Sequence, residues 1–100
     1  MIKHIVFWTL KESAHGQTKH QNAIQIKDML ENLNGKIDGL LKLEVGIDFS
    51  NTDTSYDLAL YSEFVSRKAL DEYQACALHQ AAVPFIGEAK QERIVVDFEI

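Results

Sequence analysis

Length, composition and charge describe an ordinary globular domain. The chain has 100 residues, of which 46% are hydrophobic and 25% are charged, and these values exclude a disordered or membrane-embedded class. The formal net charge is −5. Because nucleic-acid binding needs clustered positive charge, we expect no nucleic-acid partner. We expect a single domain over residues 1–100.

The single cysteine and the hydrophobic runs indicate the compartment. Cys76 has no second cysteine with which to form a disulfide in the chain. No apolar run reaches the roughly 20 residues of a membrane span, and the start, MIKHIVFWTLKES, lacks the cleavage site of a signal peptide. We therefore expect a cytoplasmic protein with a reduced thiol and no membrane partner.

The first half of the chain predicts a strand, a helix and a second strand. Residues 2–10, IKHIVFWTL, are rich in β-branched and aromatic side chains and predict the first strand. Thr18 and Gln21 have the spacing of a capping box, which starts the first helix, and Asn34-Gly35 predicts its end. Residues 40–50, LLKLEVGIDFS, alternate as a second strand does.

The second half predicts a strand, an interrupted helix and a last strand. After the turn NTDTS, residues 56–64 form the third strand of a hairpin. Ser66 caps the second helix, which Pro84 should kink or interrupt. Residues 93–100, RIVVDFEI, predict the fourth strand.

The order βαββαβ predicts an α+β, ferredoxin-like fold with a four-stranded antiparallel sheet. Right-handed crossovers place both helices on one face of that sheet. The other face would carry Ile5, Phe7 and Val95 or Val96 with no helix over them. Because an apolar face of this size is not left in water, we expect a sheet-to-sheet homodimer, which forms a dimeric α+β barrel.

Three segments together resemble a known family. The opening MIKHIVFWTLKES, the stretch YQACALH followed by FIG, and the closing RIVVDFEI resemble the stress-responsive A/B barrel (Dabb) family along essentially the whole chain. The resemblance implies the fold and the dimer derived above. Most members of the family have no assigned activity and some are associated with stress tolerance. At least one plant member is a polyketide cyclase that closes an aromatic ring by aldol condensation.

The resemblance to that cyclase implies three catalytic residues. The cyclase uses a Tyr and a His spaced as Tyr73 and His79 are here, with another His on the first strand at the position of His4. Val6 and Trp8 share a face of the first strand with His4 and would line the pocket. No metal or organic cofactor is implied.

The chain departs from the family pattern at two places. Leu58 stands where the cyclase has a further pocket histidine, and Cys76-Ala77 stands where members commonly carry His-Pro. In an unbroken helix a six-residue step rotates the side chain by about 240°, which would point Tyr73 and His79 about 120° apart. The family's proline interrupts the helix there, whereas alanine does not enforce a break. The sequence therefore leaves the meeting of these two side chains open.

If the two side chains meet, their chemistry is proton transfer. A neutral His79 would take a proton from a carbon next to a carbonyl at neutral pH. The Tyr73 hydroxyl would hold the developing enolate oxygen, and His4 would orient the substrate or relay a proton. The alternative assigns Tyr73, His79 and His4 ordinary packing roles in the core. His15 and His20 are expected to be exposed and lack metal-ligand spacing.

Three functional hypotheses follow from these interpretations of the sequence. The leading hypothesis is a small homodimer of unassigned activity that binds a small hydrophobic or aromatic molecule between helices and sheet. The second is a cofactor-independent cyclase, lyase or isomerase that uses the Tyr/His pair. The third is a non-catalytic, stress-related structural protein. A thiol enzyme is disfavoured because no cationic cluster flanks Cys76 to activate it.

Overall fold

Six strands and four helices make up the chain, and the computed structural model describes all of residues 1–100. In chain order they are β1 (Ile2–Leu10), β2 (Ser13–Ala14), β3 (Gln17–Thr18), α1 (Lys19–Glu31), β4 (Leu40–Ile47), β5 (Leu58–Phe64), α2 (Arg67–Ala75), α3 (Ala77–Gln80), α4 (Val83–Ala89) and β6 (Lys90–Glu99). None of these helices is long and apolar enough to cross a membrane.

The four long strands form one antiparallel sheet in the order β4-β5-β1-β6. The predicted ferredoxin-like fold is therefore confirmed. Strand β1 is central, and its side chains alternate between buried and partly buried along its whole length. Its buried set faces the helices and belongs to the core, which lies between the sheet and the helical layer: Ile2, His4, Val6, Trp8 and Leu10.

Helix α1 starts as predicted and ends one turn earlier than predicted. The Thr18 hydroxyl accepts a hydrogen bond from the Gln21 backbone N–H, and the Gln21 side chain accepts one from the Thr18 N–H, which completes the capping box. The helix ends at Glu31 rather than at Asn34-Gly35. The Asn34 amide instead bonds the backbone of Leu43 on β4, at 2.7 Å and 3.0 Å. This pairing ties the end of the helix to the sheet.

The loop before α1 contains a small hairpin that the sequence did not predict. Strands β2 and β3 pair across His15 and Gly16, whose φ angles are 55° and 68°, as a two-residue hairpin turn requires. His15 is exposed, as expected, and stacks on Phe85 of α4 with ring centroids 4.0 Å apart. The stacking holds the hairpin against the helical layer.

The second helical segment is interrupted twice. Pro84 lies in the first turn of α4, where its missing N–H leaves no bond unmade, so the expected interruption falls just before it. The other break is at Cys76, whose ψ of 153° is extended backbone between α2 and α3. The chain thus breaks next to Ala77 without the family's proline.

Side chains stabilise the break at Cys76. A continuous helix would direct the Gln74 carbonyl to the backbone N–H four residues later. Here that carbonyl accepts hydrogen bonds from His79 Nδ1 at 3.1 Å and from Gln80 Nε2 at 2.7 Å. Because two donors satisfy the carbonyl that the break leaves free, ending α2 there costs little.

One face of the sheet carries no helix. On β6, Ile94, Val96 and Phe98 expose 47%, 55% and 43% of their surface, and they pair with the partly buried side of β1, which includes Ile5 and Phe7. Of the two valines considered from the sequence, Val96 lies on this face. Val95 pairs with buried Val6 and so lies on the helical side.

We expect Ala77→Pro to be neutral or to stabilise the protein by about 0.4–1 kcal/mol, because it rigidifies the unfolded chain at a compatible site. Ala77 is the first residue of α3, where proline is favoured, and Cys76 before it already has the extended ψ that proline imposes. The matched control is Ala81→Pro, which removes the 2.9 Å bond from the Ala81 N–H to the Ala77 carbonyl and should cost about 3 kcal/mol. Urea unfolding measures the free energy of unfolding of both variants. An equal loss of stability in the two would contradict the interpretation that the helix already breaks before Ala77.

Candidate functional site

A cavity of about 250 Å³ opens between the sheet and the helices. Its volume is slightly below the usual range for small-molecule sites. Apolar side chains from α1, β5 and α4 form much of its wall, among them Leu30, Leu60 and Ile86. All five residues that the sequence assigned to the pocket line this cavity: His4, Val6, Trp8, Tyr73 and His79.

Tyr73 and His79 meet in the cavity. Their ring centroids are 4.6 Å apart and the ring planes are inclined by 54°. The extended residue Cys76 makes this possible, because it removes the rotation that an unbroken helix would impose between the two positions. Tyr73 is buried and packs against Phe64 at 5.0 Å, so the meeting point is fixed by the core.

The environment of His79 favours its neutral form. Burial lowers the pKa of His79 below its usual 6.5, the bond to the Gln74 carbonyl opposes this, and the nearby His4 and Arg93 lower it further. Because a carbonyl oxygen only accepts, Nδ1 of His79 carries the proton in the 3.1 Å bond to Gln74. The lone pair of the neutral ring is therefore on Nε2, which bonds no group of the chain.

The environment of Tyr73 keeps its hydroxyl protonated and able to donate a hydrogen bond. Its pKa is raised to about 12, mainly by burial and to a smaller extent by Cys76, with Arg93 opposing. Its hydroxyl thus stays protonated throughout the neutral range. That hydroxyl bonds no other group of the chain, which leaves it free to donate to a molecule in the cavity.

His4 is held by an aspartate that the sequence reasoning missed. His4 Nδ1 donates to Asp97 Oδ1 at 2.5 Å, and the Ser62 hydroxyl donates to the His4 carbonyl at 2.8 Å. His4 and Asp97 are directly opposite in the pairing of β1 with β6. The His4 ring lies 6.5 Å from that of Tyr73. Asp97 was visible in the closing Val-Asp-Phe segment, but its pairing with His4 depends on the register between β1 and β6.

Two basic residues of the cavity were also missed. Lys90 and Arg93 line it from β6, although the sequence shows them only as isolated charges in the last strand. By contrast, Leu58 is a buried core residue outside the cavity, and Cys76 is half-buried at the helix break. No group of three or more His, Cys, Asp or Glu side chains is placed to hold a metal ion.

The arrangement combines the parts needed for enolisation. A neutral imidazole and a protonated phenol face one small, largely apolar space, and a carboxylate-held histidine lies beside them. General bases and oxyanion donors of this kind act on carbon acids next to a carbonyl.

Comparison with known proteins places the chain in a family. The family model described as the stress responsive A/B barrel domain matches residues 2–100. No curated protein matches the chain. A solved dimeric protein of unknown function with a ferredoxin-like fold, from Bacteroides fragilis, is 32% identical with a TM-score of 0.86, and the alignment covers 99% of this chain and 95% of that one.

Two more distant structures share the fold. A dimeric ferredoxin-like protein of unknown function from Thermobifida fusca is 22% identical, with a TM-score of 0.84 and coverage of 99% and 90%. A hydroxynitrile lyase from Passiflora edulis is 18% identical, with a TM-score of 0.80 and coverage of 99% and 92%. The match to the family model over nearly the whole chain shows that this protein belongs to the stress responsive A/B barrel domain family.

Proposed function

We propose that the cavity binds a small hydrophobic or aromatic carbonyl compound and that the protein catalyses proton transfer at the carbon beside the carbonyl. The reaction class is that of a cofactor-independent cyclase, lyase or isomerase. The observation that carries the proposal is the contact between Tyr73 and His79 in one cavity, with the hydroxyl and Nε2 both free of protein partners.

The neutral form of His79 and the protonated form of Tyr73 define the path of the proton and of the electron pair. Nε2 of His79 takes a proton from the α-carbon, the C–H bond breaks, and its electron pair moves onto the carbonyl oxygen as an enolate. The Tyr73 hydroxyl donates a hydrogen bond to that oxygen, which lowers the barrier most where water is excluded. Return of the proton from the imidazolium to carbon completes an isomerisation. In a cyclisation the enolate carbon instead bonds to a second carbonyl carbon, whose π electrons move to its oxygen, and that alkoxide takes the proton from the imidazolium.

His4 would orient the bound molecule. Its ring is buried, and the bond to Asp97 fixes which nitrogen carries a proton. Nε2 is then the nitrogen left for a ligand or a bridging water. Asp97 acts through His4 and is a positioning residue.

Deuterium exchange tests the catalytic proposal. With 1-phenyl-2-propanone in D₂O, the protein should speed the loss of the α-proton NMR signals. His79→Ala should slow this exchange by about 100-fold, as expected for loss of a general base, and Tyr73→Phe by about 10- to 100-fold through loss of the oxyanion donor. His20→Ala is the control, because His20 is exposed on α1 outside the cavity.

Two outcomes would contradict the proposal in different ways. Exchange that is equally fast in His79→Ala and wild type would remove His79 as the base. Saturable ketone binding without any exchange would leave a binding protein and contradict catalysis.

The pH profile of the exchange should be a broad plateau. His79 must be neutral to act, and since burial lowers its pKa, the rate should fall only as the pH drops through a value below 6.5. The alkaline limb should lie well above pH 10, because the pKa of Tyr73 is raised to about 12. Rates from pH 4.5 to 10.5 check this, and an acidic midpoint above 6.5 would contradict it.

The uncovered sheet face supports a second proposal, a homodimer in which two sheets pack face to face. Ile94, Val96 and Phe98 form an exposed apolar stripe that one copy cannot cover. The Bacteroides fragilis structure, at 32% identity, is described as dimeric. A second copy of this chain is the occupant that both observations favour.

Ile94→Glu should convert the protein from twice the 11.4 kDa chain mass to the single mass, because a carboxylate buried without a partner costs several kcal/mol. Ile24→Glu is the control, since Ile24 on α1 is 42% exposed, close to the 47% of Ile94, and lies away from the uncovered face. Light scattering at micromolar concentration measures the mass of both variants. A wild-type protein of single mass, or an Ile94→Glu variant of double mass, would contradict the proposed interface.

A further inference from the structure

Lys90 and Arg93 place two cations on the cavity wall with no carboxylate beside them. The chain's other arginine, Arg67, pairs with Glu99 at 3.0 Å, whereas neither cavity cation forms an ion pair. Lys11 and Lys36 form no ion pair either, but they do not line the cavity. Two unpaired cations on the wall of one cavity favour a place for an external anion.

A β-bulge brings these two cations to the same face. Residues three apart in a regular strand point to opposite faces of the sheet. The pairing of β1 with β6 shifts by one residue, so that Thr9 faces Glu92 whereas Leu10 faces Lys90. The extra residue, Gln91, turns Lys90 to the side on which Arg93 already lies.

The positive charge of Arg93 reaches the reacting pair. Burial dominates the pKa values of Tyr73 and His79, and Arg93 adds a smaller effect that lowers both. Arg93 is also directly opposite Trp8 in the strand register. A molecule that contacts the hydroxyl of Tyr73 therefore lies within electrostatic reach of the guanidinium.

Trp8 adds an unsatisfied donor to the same wall. Its side chain is 5% exposed, and its indole Nε1–H is buried without a hydrogen-bond partner. A buried donor left unpaired costs about 1–3 kcal/mol. Trp8 Nε1 is one of two buried side-chain atoms without a hydrogen-bond partner, and Trp8 and Arg93 line the same cavity.

We propose that the cavity selects oxo acids, with the carboxylate held by Arg93 and Lys90 and the carbonyl held by Tyr73. This inference rests on the proposed function and adds its substrate class. The apolar body of the molecule would pack between the two ends, against Leu60 and Ile86. A planar guanidinium suits a carboxylate because it donates two parallel hydrogen bonds.

A matched pair of probes isolates the charge. 3-Benzoylpropanoate carries a ketone, an aromatic ring and a carboxylate, and 3-benzoylpropanamide has the same size without the charge. By calorimetry, the wild type should bind the acid about tenfold or more tightly than the amide, as one charge-assisted hydrogen bond of about 1.5 kcal/mol gives. Raising the salt from 20 to 500 mM should weaken binding of the acid and leave the amide unchanged.

Variants assign the effect to the two cations. Arg93→Gln should remove most of the preference for the acid and Lys90→Gln a smaller part, while the affinity for the amide stays unchanged in both variants. Arg67→Gln removes the same charge outside the cavity and should keep the full preference. Lys90→Gln and the salt titration keep the test decisive if Arg93→Gln fails to fold.

The outcomes separate this inference from the function on which it rests. Equal affinity for the two probes, or a preference that is undiminished in Arg93→Gln, would overturn the oxo-acid assignment and leave ketone binding intact. Failure of both probes to bind at millimolar concentration would overturn the assignment and the proposed function together. An equal loss in Arg67→Gln would show a general charge effect and overturn the assignment.

Discussion

The extended backbone at Cys76 is the constraint on which the site depends. It ends α2 after Ala75, so that the short helix α3 places the His79 ring against the ring of Tyr73. A proline at position 77 would enforce this break, but here hydrogen bonding does so. The Gln74 carbonyl is satisfied by two side chains from the following turn, and one of them belongs to His79. The break and the orientation of the base therefore stabilise each other.

Burial then determines the protonation of the pair. The same desolvation that disfavours a phenolate also disfavours an imidazolium, so it raises the pKa of Tyr73 and lowers that of His79. Both groups are held neutral, one as donor and one as acceptor, without an ion pair. The charged residues of the cavity lining are Lys90 and Arg93, and the Asp97 carboxylate bonds the His4 ring from outside that lining.

Strands β1 and β6 connect the cavity to the uncovered face. Alternate side chains of β1 contribute His4 to the cavity and Phe7 to the open face, and β6 contributes Arg93 to the cavity and Val96 to the open face. Covering the open face would hold both strands in register. A partner copy would thus brace the backbone from which the His4–Asp97 pair projects.

The sequence by itself determined the four long strands, the start of α1 and the two faces of the sheet, because strand alternation and the Thr18–Gln21 capping box are local signals that burial and hydrogen bonding enforce. It also indicated Tyr73, His79 and His4, through resemblance. It did not show the β2–β3 hairpin or the early end of α1. Only the tertiary structure decided whether these residues meet, since a helix break with no proline is set by side-chain bonds to one carbonyl. The Asp97 partner and the shared face of Lys90 and Arg93 depend on the register and bulge between strands more than 80 residues apart, which no local pattern encodes.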